Sequence, residues 1–304
     1  MSFASNRSDG STSVATGFLD ALERWIATDR SPSAPALHTA LLAWLREAQR
    51  AQPSMALVHQ LAARALAVAG AGAAREDSPA DLHGHLAESC AREREDLAAS
   101  TLAAARTASQ LIARHEPWIA TLSMSGAVLA AFRELRRAGR APRALVAESR
   151  PKLEGRAMAA ALAAEGIPVW LVADAALPML MQQAAALWLG ADAVTDAGVL
   201  NKVGSSTTAL AAREHGVPVH AIATRRKFLP ATTPSLAIAE MPPAELWDAP
   251  PANVRPRNVY FEMVPIALLR GVVVEDGVLG ATEVKVAALD RALPDALAAA
   301  LPNA

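Results

Sequence analysis

Five short polar clusters have residue types that could do chemistry. They are Ser123-Met124-Ser125-Gly126; Glu148-Ser149-Arg150-Pro151 with Glu154-Gly155-Arg156 after it; Asp174; Gly190-Ala191-Asp192 with Asn201-Lys202-Val203-Gly204-Ser205-Ser206 after it; and Thr224-Arg225-Arg226-Lys227-Phe228. Several suit a phosphate. Asn201 to Ser206 precedes a predicted helix, Thr207 to His215, whose first N–H groups and dipole favour an anion. Lys202 adds a point charge there, and Gly204 allows close approach. Gly155 and Arg156 open another helix in the same way. Ordinary capping of turns by Ser and Gly accounts for both clusters as well. Asp192 could serve as an acid or base, or as a turn aspartate. Ser123 or Ser125 could be a nucleophile, but the chain has no G-x-S-x-G elbow and no histidine placed to serve one. His83 and His85 lack further ligands at metal spacing, so no metal is expected. Cys90, within a charged helical stretch, is expected to pack.

The elements that must carry these clusters change character near Pro117. Before it, apolar residues recur at helical spacing: Phe18, Leu19, Leu22 and Ile26 in Gly17–Ala27, then Leu37, Leu41, Leu42 and Leu45 in Pro35–Gln52. A third helix, Ser54–Ala69, is expected to stop at Gly70 and Gly72, and a long one to fill Pro79–His115. The charged run Ala91 to Asp96 reads as a solvated helix face. After Pro117, short apolar runs alternate with helical stretches. Trp118–Leu122, Ala144–Ala147, Pro168–Ala173, Ala186–Leu189, Pro218–Ile222 and Gly271–Val274 are the predicted strands. They lack polar alternation, as strands covered on both faces do. The predicted fold class is therefore α/β: an N-terminal helical domain over 1–115, loose at 1–13, then a Rossmann-like, mainly parallel sheet domain over 116–304. Ligands of such sheets sit beyond the carboxyl ends of the strands, where all five clusters fall.

Composition narrows the function. The 304 residues carry 29 Lys+Arg against 30 Asp+Glu, a net charge of -1, without the basic excess of a nucleic-acid binder. Aromatics are 4%, so the core must be mainly aliphatic. A single cysteine excludes an internal disulfide and points to a cytoplasmic protein. No apolar run of about 18–20 residues and no signal-peptide pattern is evident, so no membrane partner is expected.

Taken in order, Glu148-Ser-Arg-Pro151, Glu154-Gly-Arg156, Gly190-Ala-Asp192, Asn201-Lys-Val-Gly204, Lys227-Phe228, Pro242 to Asp248 and Arg257 to Glu262 resemble a known superfamily. It joins the alpha, beta and delta regulatory subunits of initiation factor 2B with ribose-1,5-bisphosphate isomerase and methylthioribose-1-phosphate isomerase. The resemblance is broad from Trp118 to Val274 and rests on Gln52-Pro-Ser-Met55 before that. It implies a helical domain, a Rossmann-like domain, a homodimer formed through the latter and a sugar-phosphate pocket between the two domains. It implies no cofactor. In the isomerases a cysteine after the first strand and the aspartate of Gly-Ala-Asp perform the aldose–ketose conversion. Asp192 matches the aspartate. Thr121-Leu-Ser-Met-Ser-Gly126 aligns with the family's Thr-His-Cys-Asn-Ala/Ser-Gly, so Ser123 stands at the cysteine position. Arg150, Asn201 and Lys202 match pocket positions. A glutamine of the methylthioribose enzyme falls on Glu154, a poor phosphate partner.

A thiol titrates near 8.5, so some thiolate exists at neutral pH, whereas a serine hydroxyl needs an activating base. Two readings follow. In one, the chain isomerises a phosphorylated pentose, with Asp192 moving the proton and Ser123 assisting. In the other, it is a non-catalytic, regulatory-subunit-like sensor of a sugar phosphate or nucleotide. Both expect a phosphate held by Asn201, Lys202 and Lys227 at the helix after Gly204, with Arg150, Glu154 and Arg156 nearby. Trp247, Tyr260, Phe261 and Met263 are expected to bury against a second subunit.

Overall fold

Serine caps and proline starts set the helical half. Ser33 accepts the Ala36 N–H at the head of α2 (Ala34–Ala51), and Ser78 accepts that of Asp81 at the head of α4 (Pro79–Gln110). With α1 (Ser11–Thr28) and α3 (Ala56–Ala74) they close an aliphatic core around Phe18, Leu22, Leu41, Leu45, Leu61 and Leu86. The computed structural model describes residues 10–233, 236, 238 and 240–298. Of the expected loose tail, 1–9 lies outside the described residues, and Ser11 to Ser13 form the first turn of α1 instead.

Gly70 and Gly72 do not end α3. A Cβ at Gly72 would lie 2.6 Å from Leu82 Cδ1, so the glycine makes room for α4 to pack closely. Contrary to the reading of apolar runs, α3 is long and apolar enough by composition to cross a membrane; 56% of its most apolar window is buried inside the protein.

At 32 residues, α4 is about 48 Å long at 1.5 Å per residue and enters two cores. Leu82, Leu86 and Leu97 pack among the helices, while Ala104, Ala105 and Ala108 pack on the sheet. Its charged run is not wholly solvated. Glu93 is buried and accepts from Arg64 and from Arg226, the latter at a strand end of the other half.

The second half alternates β1 (Trp118–Leu122), α5 (Gly126–Arg137), β2 (Arg143–Ala147), α6 (Glu154–Ala164), β3 (Val169–Val172), β4 (Ala186–Leu189), α7 (Ser205–Glu214), β7 (Val219–Ile222) and β9 (Gly271–Val274). The six strands are parallel, as read from the sequence, and the hairpin strand β10 (Gly277–Leu279) adds an antiparallel edge. The order is β10-β9-β7-β4-β1-β2-β3. One face is covered by α4, α5 and α6; the other by α7, α8 (Ala281–Leu289) and 3-10 turns over Pro178–Gln183. A short helix α9 (Asp295–Ala298) sends Leu297 back into the helical core.

A separate antiparallel sheet of β5 (Ala193–Val194), β6 (Gly198–Lys202) and β8 (Phe261–Pro265) was not legible in the apolar runs. It changes the placement of two candidate residues. Asn201 and Lys202 are strand residues paired with Glu262 and Phe261, not part of a loop before a helix.

Phe132 on α5 meets Trp188 of β4 edge-on, with ring centroids 5.5 Å apart, both fully buried. Phe132→Ala is expected to lower stability by about 3–5 kcal/mol, read as a shift in the urea unfolding midpoint.

Candidate functional site

Strand order locates the crevice. The chain runs from β1 outward to β2 and β3, then returns to β4 on the other side of β1, so the switch point lies between β1 and β4. The loop after β1 is Ser123-Met124-Ser125, and the loop after β4 is Gly190-Ala191-Asp192. These two loops, with Glu154, Asn201 and Phe261, line one cavity, and Gly10, Ser11 and Met55 of the helical half close it from above. The space is about 30 Å³ for water centres, room for one or two waters.

The rim is built under backbone strain. Ser123, Ser149 and Leu153 all have φ between 61° and 64°, a region unfavourable for residues with a Cβ. Hydrogen bonds hold them there. Ser149 Oγ accepts the Ser123 N–H at 2.7 Å, and the two oxygens of Asp174 accept the N–H groups of Ser149 and Arg150 at 2.7 and 2.8 Å. Asp174 thus acts as a brace for the rim. At the start of α6 a Cβ on Gly155 would lie 1.7 Å from Ala147 O, so only glycine lets this helix approach the end of β2.

Four charges meet at the cavity: half-buried Asp192 and buried Glu154, which line it, against Lys202 and Lys227, both buried behind them. Burial pushes the Asp192 carboxyl up to about 6, although Lys227 and Lys202 pull it down. Burial also brings the Lys227 ammonium down to about 8, opposed by Asp192. Lys227 Nζ donates to Ala191 O at 2.6 Å and to Ser11 Oγ at 2.7 Å. Lys202 Nζ donates to Glu154 Oε1 at 2.9 Å and lies 4.8 Å from the centre of the Tyr260 ring. Asn201 Nδ2 donates to Ser205 Oγ at 2.9 Å.

The expected phosphate cradle at the helix after Gly204 is therefore already filled. Ser206 N–H, at the start of α7, donates to Glu262 Oε1 at 2.8 Å, and both lysines are engaged by protein oxygens. Among the predicted site residues, Ser123, Glu154, Asp192 and Asn201 line the cavity. Lys202 and Lys227 stand behind them. Gly204 caps α7, Arg150 is exposed at the rim, and Arg156 pairs with Glu148 at 2.8 Å on the surface. Sequence reading missed Ser11; Met55 had only the Gln52-Pro-Ser-Met55 match to mark it, and Glu262 only the Arg257 to Glu262 match. Four helices start at the cavity: α1, at Gly10 and Ser11, α3, at Met55, α5, at Ser125, and α6, at Glu154.

Other candidates fall elsewhere. His83 pairs with Asp29 and His85 with Asp77. Burial raises the Cys90 thiol to about 11, leaving it inert at neutral pH. Tyr260 is buried within its own chain and hydrogen-bonds Glu245, so it is not available to a second subunit, whereas Trp247 is half exposed. A larger groove of about 440 Å³ lies between Phe228 and α8, but its lining has no buried polar group without a partner.

The sequence pattern of the initiation factor 2 subunit family matches residues 7–281. A putative translation initiation factor eIF-2B subunit 2-like protein of Pyrococcus furiosus is 32% identical over 163 residues, covering 53% of this chain and 57% of its own. The ribose 1,5-bisphosphate isomerase of the same organism is 32% identical over 149 residues, 46% of each chain. The chain thus spans about half the length of the curated relatives it matches. The crystal structure of the translation initiation factor eIF-2B of Pyrococcus horikoshii OT3 superposes with a TM-score of 0.77 at 24% identity, covering 91% of this chain and 94% of that one; this likeness concerns the fold.

Proposed function

The chain belongs to the initiation factor 2 subunit family, and from that premise we propose that it binds a phosphorylated pentose at the β1–β4 crevice and interconverts its aldose and ketose forms. The observation that carries this reading is the placement of Asp192. It stands at the switch point, lines the cavity and has a carboxyl poised near 6, where it can both take and return a proton at neutral pH. Lys227 beside it supplies a cation that favours the ionised form. The phosphate goes to the starts of α1 and α5, which border the cavity, rather than to α7, whose Ser206 N–H is taken by Glu262. Ser123 assists as a hydroxyl donor. A homodimer in the cytoplasm goes with this reading, with half-exposed Trp247 in the interface in place of Tyr260.

A second reading, a sensor that binds without turnover, is favoured by the hydroxyl at position 123 and by the closed cavity. Measuring isomerisation of ribose 1,5-bisphosphate, ribose 1-phosphate and methylthioribose 1-phosphate alongside calorimetric binding separates the two. For the isomerase, Ser123→Cys raises the rate by about tenfold or more, because the thiol ionises far more readily than the hydroxyl it replaces. Binding without turnover, unchanged by Ser123→Cys, leaves the sensor. Absence of binding by any of these or by a nucleotide rejects both.

A further inference from the structure

Glu154 is an anion inside a cavity proposed to receive an anion. It is 7% exposed. Its Oε1 is held by Lys202 at 2.9 Å, while its Oε2 is buried and accepts from nothing; among the described residues lining the cavity it is the one with such an orphaned side-chain atom. A buried carboxylate oxygen without a donor is costly, and native structures keep one where something else completes it. The orientation is well enforced. Lys202 is itself buried over the Tyr260 ring, and Gly155 lets the start of α6, which carries Glu154, pack on the end of β2.

Whatever completes Oε2 must donate a hydrogen bond. A phosphate near neutral pH offers chiefly acceptor oxygens and negative charge, so against Glu154 it would add repulsion in a poorly screened site. A hydroxyl offers the missing donor at no charge cost. We infer that Glu154 is a specificity residue that accepts from a free hydroxyl of the ligand and bars a phosphate from that end of the cavity. The ligand is then a pentose monophosphate, with its single phosphate at the α1 and α5 starts and a hydroxyl where a bisphosphate carries its second phosphate. This inference rests on the sugar-phosphate reading above and adds the class of ligand.

Calorimetric titration of the full chain with ribose 1-phosphate, ribose 5-phosphate and ribose 1,5-bisphosphate tests it. The wild-type protein is expected to bind at least one monophosphate tenfold or more tightly than the bisphosphate. Glu154→Gln keeps the side-chain shape but supplies an amide donor and removes the charge, and it should shift that ratio at least tenfold toward the bisphosphate. A wild-type preference for the bisphosphate overturns the inference while leaving sugar-phosphate binding in place. So does an unchanged ratio in a folded Glu154→Gln. If the variant fails to fold, the wild-type ratio decides alone. No binding of any of the three overturns the inference together with the reading it rests on.

Discussion

Asp192→Asn should abolish turnover of a pentose phosphate, by at least about 100-fold in kcat, while leaving its Kd within about threefold. The asparagine keeps the shape of the side chain but cannot carry a proton, and general acid–base catalysis is worth about 10² to 10⁴ in rate. The carboxyl acts as a base only when ionised, so the rate of the unsubstituted protein should rise with pH through about 6, where burial has placed its titration. Lys227 loses its charge above about 8, and with it the cation that favours the Asp192 carboxylate and the grip on Ser11 and Ala191 O. The rate should therefore level off above about 6 and change further only where Lys227 titrates, near 8. A profile flat from 5 to 9, or an asparagine variant that keeps its rate, would remove Asp192 from the chemistry.

Lys202→Met should destabilise the fold by about 3–5 kcal/mol, the usual cost of removing one partner from a buried ion pair. Lys202 and Glu154 are both buried and sit 2.9 Å apart, so losing the ammonium strands a carboxylate away from water. The cation over Tyr260 is lost as well. The double variant Lys202→Met with Glu154→Gln removes both charges and should recover most of the lost stability, because a neutral amide in that site needs no counter-ion. Urea unfolding of the two single variants and the double variant gives the coupling directly. If the single lysine variant loses under about 1 kcal/mol, Lys202 is not a structural cation, and a phosphate-ligand role for it stands instead.

The parallel sheet was legible because it is written in local pattern. Trp118–Leu122, Ala186–Leu189 and Gly271–Val274 are apolar runs bounded by turn residues, and the structure places strands over those same residues. Strands covered on both faces need no partner to reveal them. Once the runs are parallel, the carboxyl-end rule puts Ser123 and Asp192 on one rim, and the fold brings both to one cavity. Asp192 could be singled out for this reason.

Other features depend on residues far apart in the chain. Ser11 meets Lys227 across 216 positions, and Glu93 meets Arg226 across 133, so no window of sequence holds both members. The serine looked like part of a loose polar tail, and the glutamate like one charge in a solvated run, because periodicity reports a helix face but not what the face packs against. The antiparallel sheet of β5, β6 and β8 hid for the same reason. Gly198 to Lys202 ends in two polar residues and pairs with a strand more than fifty residues later. That pairing set Asn201 and Lys202 in a buried strand and put Glu262 on the head of α7. Residue type and order carry the chemistry a rim could perform. Which charges are spent on one another is set by burial, since a lysine without water takes the nearest carboxylate, and that distance exists only once the chain has folded.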